Sequence, residues 1–290
     1  MEFLSSQPAQ LGECPVWDGR TGHIYWIDID GQTVHRLHLA SGAEQQRSTP
    51  GRPGSVALTS ERDRLLLALE HEVGWLEWEG GGFTPWIALE AAETGNRLND
   101  GRADPAGRYW VGSMHTDASE ELQTGMLHRL ESDGSHVTTR HGVGVSNGLA
   151  FSPDGRLMYY ADTLKDTVWA FDYDVDTGVA GNEQVFTDFS ELPGRPDGAC
   201  VDAAGCYWVA CVFGAAVARL TPNGVVDRII DLPVEKPTMP AFGGPDVETL
   251  FITSIGGGGT HETNAAEPNA GRLLAIDVGI GGVSEPHFAG

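Results

Sequence analysis

Four oxygen-bearing side chains recur at comparable places in this chain of 290 residues. Glu13, Asn99, Asn147 and Asp197 each stand ten to twelve residues ahead of an aromatic anchor, at Tyr25, Tyr109, Tyr159 and Tyr207. Ahead of two further anchors the corresponding places hold Ser55 (or Gly54) and Pro240. Two carboxylates and two amide oxygens, once gathered, make a hard-cation site in which Glu13 and Asp197 neutralise a divalent ion. Singly, Asn and Asp also begin strands and cap turns. Their recurrence at matched positions is what points to a shared site.

The elements that must gather them form a repeat. Hydrophobic or aromatic doublets anchored at positions 25, 66, 109, 159, 207 and 250 follow one another at 41 to 50 residues. Each copy reads as a short strand, a turn containing Gly, Asp or Pro, and a second, aromatic-rich strand, as in Asn147-Gly148-Leu149-Ala150-Phe151 leading through Asp154-Gly155 to Met158-Tyr159-Tyr160-Ala161. Further strands follow in each copy, for example Thr167–Tyr173 and Ala216–Leu220. Helical periodicity is confined to a turn around Leu89–Glu93. Six units of about 45 residues predict an all-β fold, a six-bladed β-propeller of four-stranded antiparallel blades around a central channel. Residues 1–290 are then one domain, since six such units use up the chain. The first strand of each blade lines the channel, so residues more than a hundred positions apart meet near one axis.

Composition narrows the partners. Lys and Arg number 18 against 41 Asp and Glu, a formal charge of −23, which disfavours nucleic acid and anionic membrane surfaces. The longest apolar runs, such as Leu65–Leu69, are strand-sized, and the N-terminus lacks the basic and apolar regions of a secretory leader. The cysteines, Cys14, Cys200, Cys206 and Cys211, form no CxxC pair and read as small packed residues of a reduced, cytoplasmic protein. HExxH is absent, which argues against a zinc protease.

Five segments carry a family resemblance: Leu11–Trp17, Arg97–Trp110, Ser146–Gly155, Arg195–Asp202 and Lys236–Asp246. In them the sequence resembles the regucalcin/gluconolactonase-like, or senescence-marker-protein-like, sugar lactonases. The resemblance implies a six-bladed propeller with one divalent ion near the top of the channel. It implies that Glu13, Asn147 and Asp197 bind the metal, that Arg97 and Asn99 contact the substrate, and that an acidic substrate-side residue falls at Asp117. The loops Met114–Gly125 and Gly256–Gly271 depart from the common pattern and bear on substrate choice. Oxygen ligands suit Ca, Mg or Mn, with Zn and Fe(II) left open.

The activity expected on these grounds is metal-dependent hydrolysis of a sugar (aldono) lactone to its acid. The ion would polarise the carbonyl and activate water, with Asp197 as general base and Arg97 and Asn99 holding the sugar. The partner is then a small sugar lactone, with monomer and dimer both open. Two alternatives stand beside it: an organophosphate or ester hydrolase on the same scaffold, and a non-catalytic calcium-binding regulatory propeller.

Overall fold

The computed structural model describes residues 1–90 and 95–290; most of the helical turn expected around Leu89–Glu93 lies outside the described residues. Six four-stranded antiparallel sheets follow one another around a ring. The innermost strands, in order, are Gly12–Asp18, Ser55–Leu58, Asn96–Ala103, Ser146–Phe151, Arg195–Val201 and Pro237–Gly243. Each packs against the next, and the sixth closes on the first. The expected six-bladed propeller is therefore what the chain forms. Blades 1 to 5 each use four consecutive strands, but blade 6 takes its outermost strand, Glu2–Phe3, from the N-terminus, paired with Leu274–Asp277. Spacing of internal copies carried no sign of this closure.

The blades form because alternate residues of each strand are apolar and meet the next blade. Tyr25, Ile27, Val56, Leu67 and Trp78 share a core between blades 1 and 2, where Tyr25 and Trp78 meet edge-on at 5.6 Å. Trp208, Val217, Phe242 and Leu250 do the same between blades 5 and 6. Full burial of side chains of this size stabilises by roughly 1.5–3 kcal/mol each. The aromatic doublets fall on the second strands, with Tyr25, Tyr109, Tyr159 and Tyr207 all buried.

A recurring irregularity shapes the channel. In five of the six blades the ladder between first and second strands slips by one residue: between Glu13 and Val16, Leu98 and Gly101, Asn147 and Ala150, Pro196 and Ala199, and Pro237 and Pro240. Two residues there oppose one, the arrangement of a β-bulge, which re-aims side chains. Blade 2, whose inner strand begins at Ser55, has an unbroken ladder. The bulges also correct the sequence alignment. Tyr25 pairs with Val16 and Tyr159 with Ala150, the first paired residues past the slip, whereas Tyr109 pairs with Ala103, two residues farther along than Gly101. Glu13 and Asn147 thus precede their bulges and Asn99 and Asp197 open theirs. In blade 6 the bulge holds Thr238 and Met239 rather than Pro240.

Candidate functional site

The bulges bring their polar side chains to one end of the channel. Arg97 Nη1 donates to Asn99 Oδ1 at 2.7 Å and to the Leu98 carbonyl at 3.1 Å. Asn99 Nδ2 donates to Asn147 Oδ1 at 3.3 Å and to the Ser146 carbonyl at 3.0 Å. Asn147 Nδ2 donates to Thr163 Oγ1 at 2.8 Å, and Thr163 donates in turn to the Pro196 carbonyl, next to Asp197, at 2.8 Å. One hydrogen-bonded arc therefore runs across blades 3, 4 and 5. Its far side is closed by Glu13, whose carboxyl lies against that of Asp197 and accepts from the Cys14 backbone N–H at 2.9 Å.

Local structure holds the arc in place. Cys14 sits at φ 47°, an unusual value for a residue with a side chain, which aims its N–H back at Glu13. Gly148 follows Asn147 at φ 66°, and a Cβ there would stand 2.5 Å from the Tyr207 hydroxyl, so only glycine fits. The loops entering blades 1 and 4 are tied by equivalent aspartates. Asp28 accepts from the Gln10 and Leu11 N–H groups, and Asp162 from those of Gly144 and Val145, all at 2.9–3.0 Å.

The charges are held under strain of solvation. Burial, then repulsion from Asp100, pushes the Glu13 carboxyl up to about 8. Burial and the Glu13 charge raise Asp197 well above the usual carboxylate range. Two buried carboxyls facing each other do not both ionise readily, so one keeps its proton. Arg97, 7% exposed, is brought down to about 10, first by burial and then by Arg52. Its Nε is buried without a hydrogen-bond partner. Such a donor beside a polar arc is a place for a ligand oxygen.

Of the residues expected from sequence, Glu13, Arg97, Asn99, Asn147 and Asp197 come together. Asp117 stands apart: it caps an exposed 3₁₀ turn, Ala118–Glu120, and its carboxylate accepts from Ser119. Two members were missed. Asp100, the second residue of the blade 3 bulge, accepts from the Leu149 N–H at 3.1 Å, keeps Oδ1 unpaired, and is raised by burial to about 6. Asp-Gly reads as a turn in sequence, which hid it. Thr163, outside every repeated segment, gave no signal.

Residues 11–256 match the family described as the SMP-30/Gluconolactonase/LRE-like region. The chain belongs to this family. It is 38% identical over 291 residues to a 6-deoxy-6-sulfogluconolactonase of Pseudomonas putida, with 100% of this chain and 99% of that protein covered. It is 36% identical over 295 residues to Regucalcin of Gallus gallus, covering 100% and 98%. The crystal structure of a calcium-binding protein, regucalcin, from Agrobacterium tumefaciens superposes with a TM-score of 0.92 at 30% identity, covering 99% of this chain and 96% of that one.

The expected metal centre is not supported. Among the described residues, no group of three or more His, Cys, Asp or Glu side chains is placed to hold a metal ion. The set Glu13, Asn147 and Asp197 supplies only two such residues. The Asn147 amide oxygen accepts from Asn99 and its nitrogen donates to Thr163. The expected divalent ion (Ca, Zn, Mn, Mg or Fe(II)) therefore has no such cluster to support it among the described residues. The expectation of a metal-dependent sugar lactonase is corrected accordingly. Nor, among the described residues, is any helix long and apolar enough to cross a membrane. All four cysteines are buried and free.

Proposed function

We propose that the channel mouth binds a small sugar lactone and that the chain is an ester hydrolase on the family scaffold, its chemistry carried by the Glu13–Asp197 pair. The observation that supports this most is the unpaired, buried Nε of Arg97 beside that pair and beside the Asn99–Asn147 arc. A lactone offers what the arc lacks: a carbonyl oxygen to accept from Arg97, and a ring hydroxyl to donate to the remaining lone pair of Asn99 Oδ1. Water adds to the carbonyl carbon and passes a proton to the ionised member of the pair. The ring C–O bond then breaks as the ring oxygen takes a proton from the protonated member, leaving a hydroxy acid. The ionised member of the pair serves as base, and Arg97 takes up charge on the carbonyl oxygen.

The whole-length likeness to a sulfogluconolactonase supports the lactone class. The comparable likeness to regucalcin favours a second reading, a non-catalytic regulatory propeller that binds without turnover. A panel of aldonolactones followed by proton release decides between them. Turnover lost in both Asp197→Asn and Glu13→Gln supports the hydrolase; binding of a lactone without turnover supports the second reading. Paraoxon-type hydrolysis exceeding lactone opening would replace the substrate class.

A further inference from the structure

The opposite end of the channel is covered by the C-terminus. The tail is tied at blades 5 and 6 by Ala203 N–H to the Gly281 carbonyl (2.9 Å) and Gly282 N–H to the Val247 carbonyl (2.7 Å). It crosses to blades 2 and 3, where Phe288 N–H donates to the Leu58 carbonyl at 2.8 Å and Ala289 N–H to the Gly107 carbonyl at 2.9 Å. There Phe288 is fully buried, its ring 5.9 Å from both Trp75 and Trp86. Midway, Glu285 pairs with Arg102 Nε at 2.8 Å.

A cleft of about 110 Å³ lies between this strap and the last residues of the inner strands, walled by Phe151, Pro153, Phe242, Val283 and Pro286. Arg102 also lines it. This side chain is 6% exposed. Its Nη1 donates to the Leu149 carbonyl at 3.0 Å, while Nη2 is buried without a partner. The cleft therefore combines apolar walls with one unmatched, desolvated donor, which is how small-molecule sites are built.

We propose that this cleft is a second ligand site, separate from the channel mouth, for a small uncharged molecule with a carbonyl or hydroxyl oxygen on an apolar body. The oxygen accepts from Arg102 Nη2 and the body rests on Phe151 and Phe242. Charge balance selects the class. Arg102 already faces Glu285 and lies close to Asp100, so an anion would meet two carboxyls for one guanidinium. Size follows from volume: a 150 Å³ cavity holds the six heavy atoms of benzene, so this cleft encloses about four, and a slightly larger molecule extends to its open side.

Cyclopentanone is the probe, with butyrate as the anionic control, in saturation-transfer NMR on the full chain. Cyclopentanone is expected to bind with a dissociation constant on the order of millimolar. Butyrate is expected to give no saturation transfer. Val283→Trp and, independently, Ser284→Trp fill the cleft from the exposed strap and should abolish the cyclopentanone signal while leaving lactone binding at the other end unchanged. Both positions are exposed, so the variants keep the core. Absence of cyclopentanone binding, tighter binding of butyrate, or a signal untouched in both folded variants would overturn the proposal.

Discussion

At the scale of single residues, function rests on groups kept where water would suit them better. Arg97 leaves Nε unpaired in a buried position, and the Glu13 and Asp197 carboxyls are forced to share a site. Replacing Arg97 by Ala should lower kcat/KM for a lactone by about 10- to 100-fold, the worth of one charge-assisted hydrogen bond. Arg97→Lys should not restore it, because an ammonium cannot present the guanidinium's fixed fork. Asp100 is testable through stability alone. Its carboxyl, raised by burial to about 6, binds its proton more tightly folded than unfolded. Stability from this group is thus present at low pH and lost as pH rises from the ordinary carboxylate value to about 6. Asp100→Asn removes that titration. Urea unfolding should show wild type losing on the order of 2–3 kcal/mol, relative to the variant, between about pH 4 and pH 6. An unchanged difference across that range would show that Asp100 is not desolvated.

At the scale of elements, the site is a product of bulges. The blades with a slipped inner ladder are the ones whose inner strands carry Glu13, Asn99, Asn147, Asp197 and Thr238; blade 2, unslipped, contributes none of these. Much of this was legible beforehand. Apolar doublets set the second strands, Gly and Asp set the turns, and the oxygen-bearing residues ahead of them marked the channel end. The bulge itself was not legible. An extra residue in one strand changes spacing by one, and offsets of ten and twelve merged positions that differ by one register step. Asp117 illustrates the same limit, because a loop residue has no repeat to place it, and it caps a local turn. Gly148→Ala tests the bulge. A methyl group at φ 66°, 2.5 Å from the Tyr207 hydroxyl, should cost about 2–4 kcal/mol of stability in denaturant unfolding. A cost below 0.5 kcal/mol would mean that the bulge relaxes freely.

At the scale of the whole molecule, a ring must be closed, and this one is closed by a strand distant in sequence. Glu2–Phe3 completes blade 6, Leu4 N–H donates to the Leu273 carbonyl, and Arg272 Nε donates to the Ser5 carbonyl. Deleting residues 1–5 should lower Tm by roughly 5–10 °C, read by calorimetry, through lost pairing and exposure of the blade 6 edge. An unchanged Tm would show that closure does not depend on this strand. The same ring explains why residues from blades 1, 3, 4 and 5 form one polar arc, and why a charge of −23 is compatible with a compact centre: most acidic groups lie outside the channel, while Glu13, Asp100 and Asp197 stand within it. The central claim is that the Glu13–Asp197 pair opens a lactone held by Arg97. The most direct measurement is steady-state proton release from an aldonolactone panel by wild type, Asp197→Asn and Glu13→Gln. Turnover by wild type that falls at least 100-fold in each variant, with folding intact, is the expected result. Wild-type turnover left unchanged by both substitutions would contradict it.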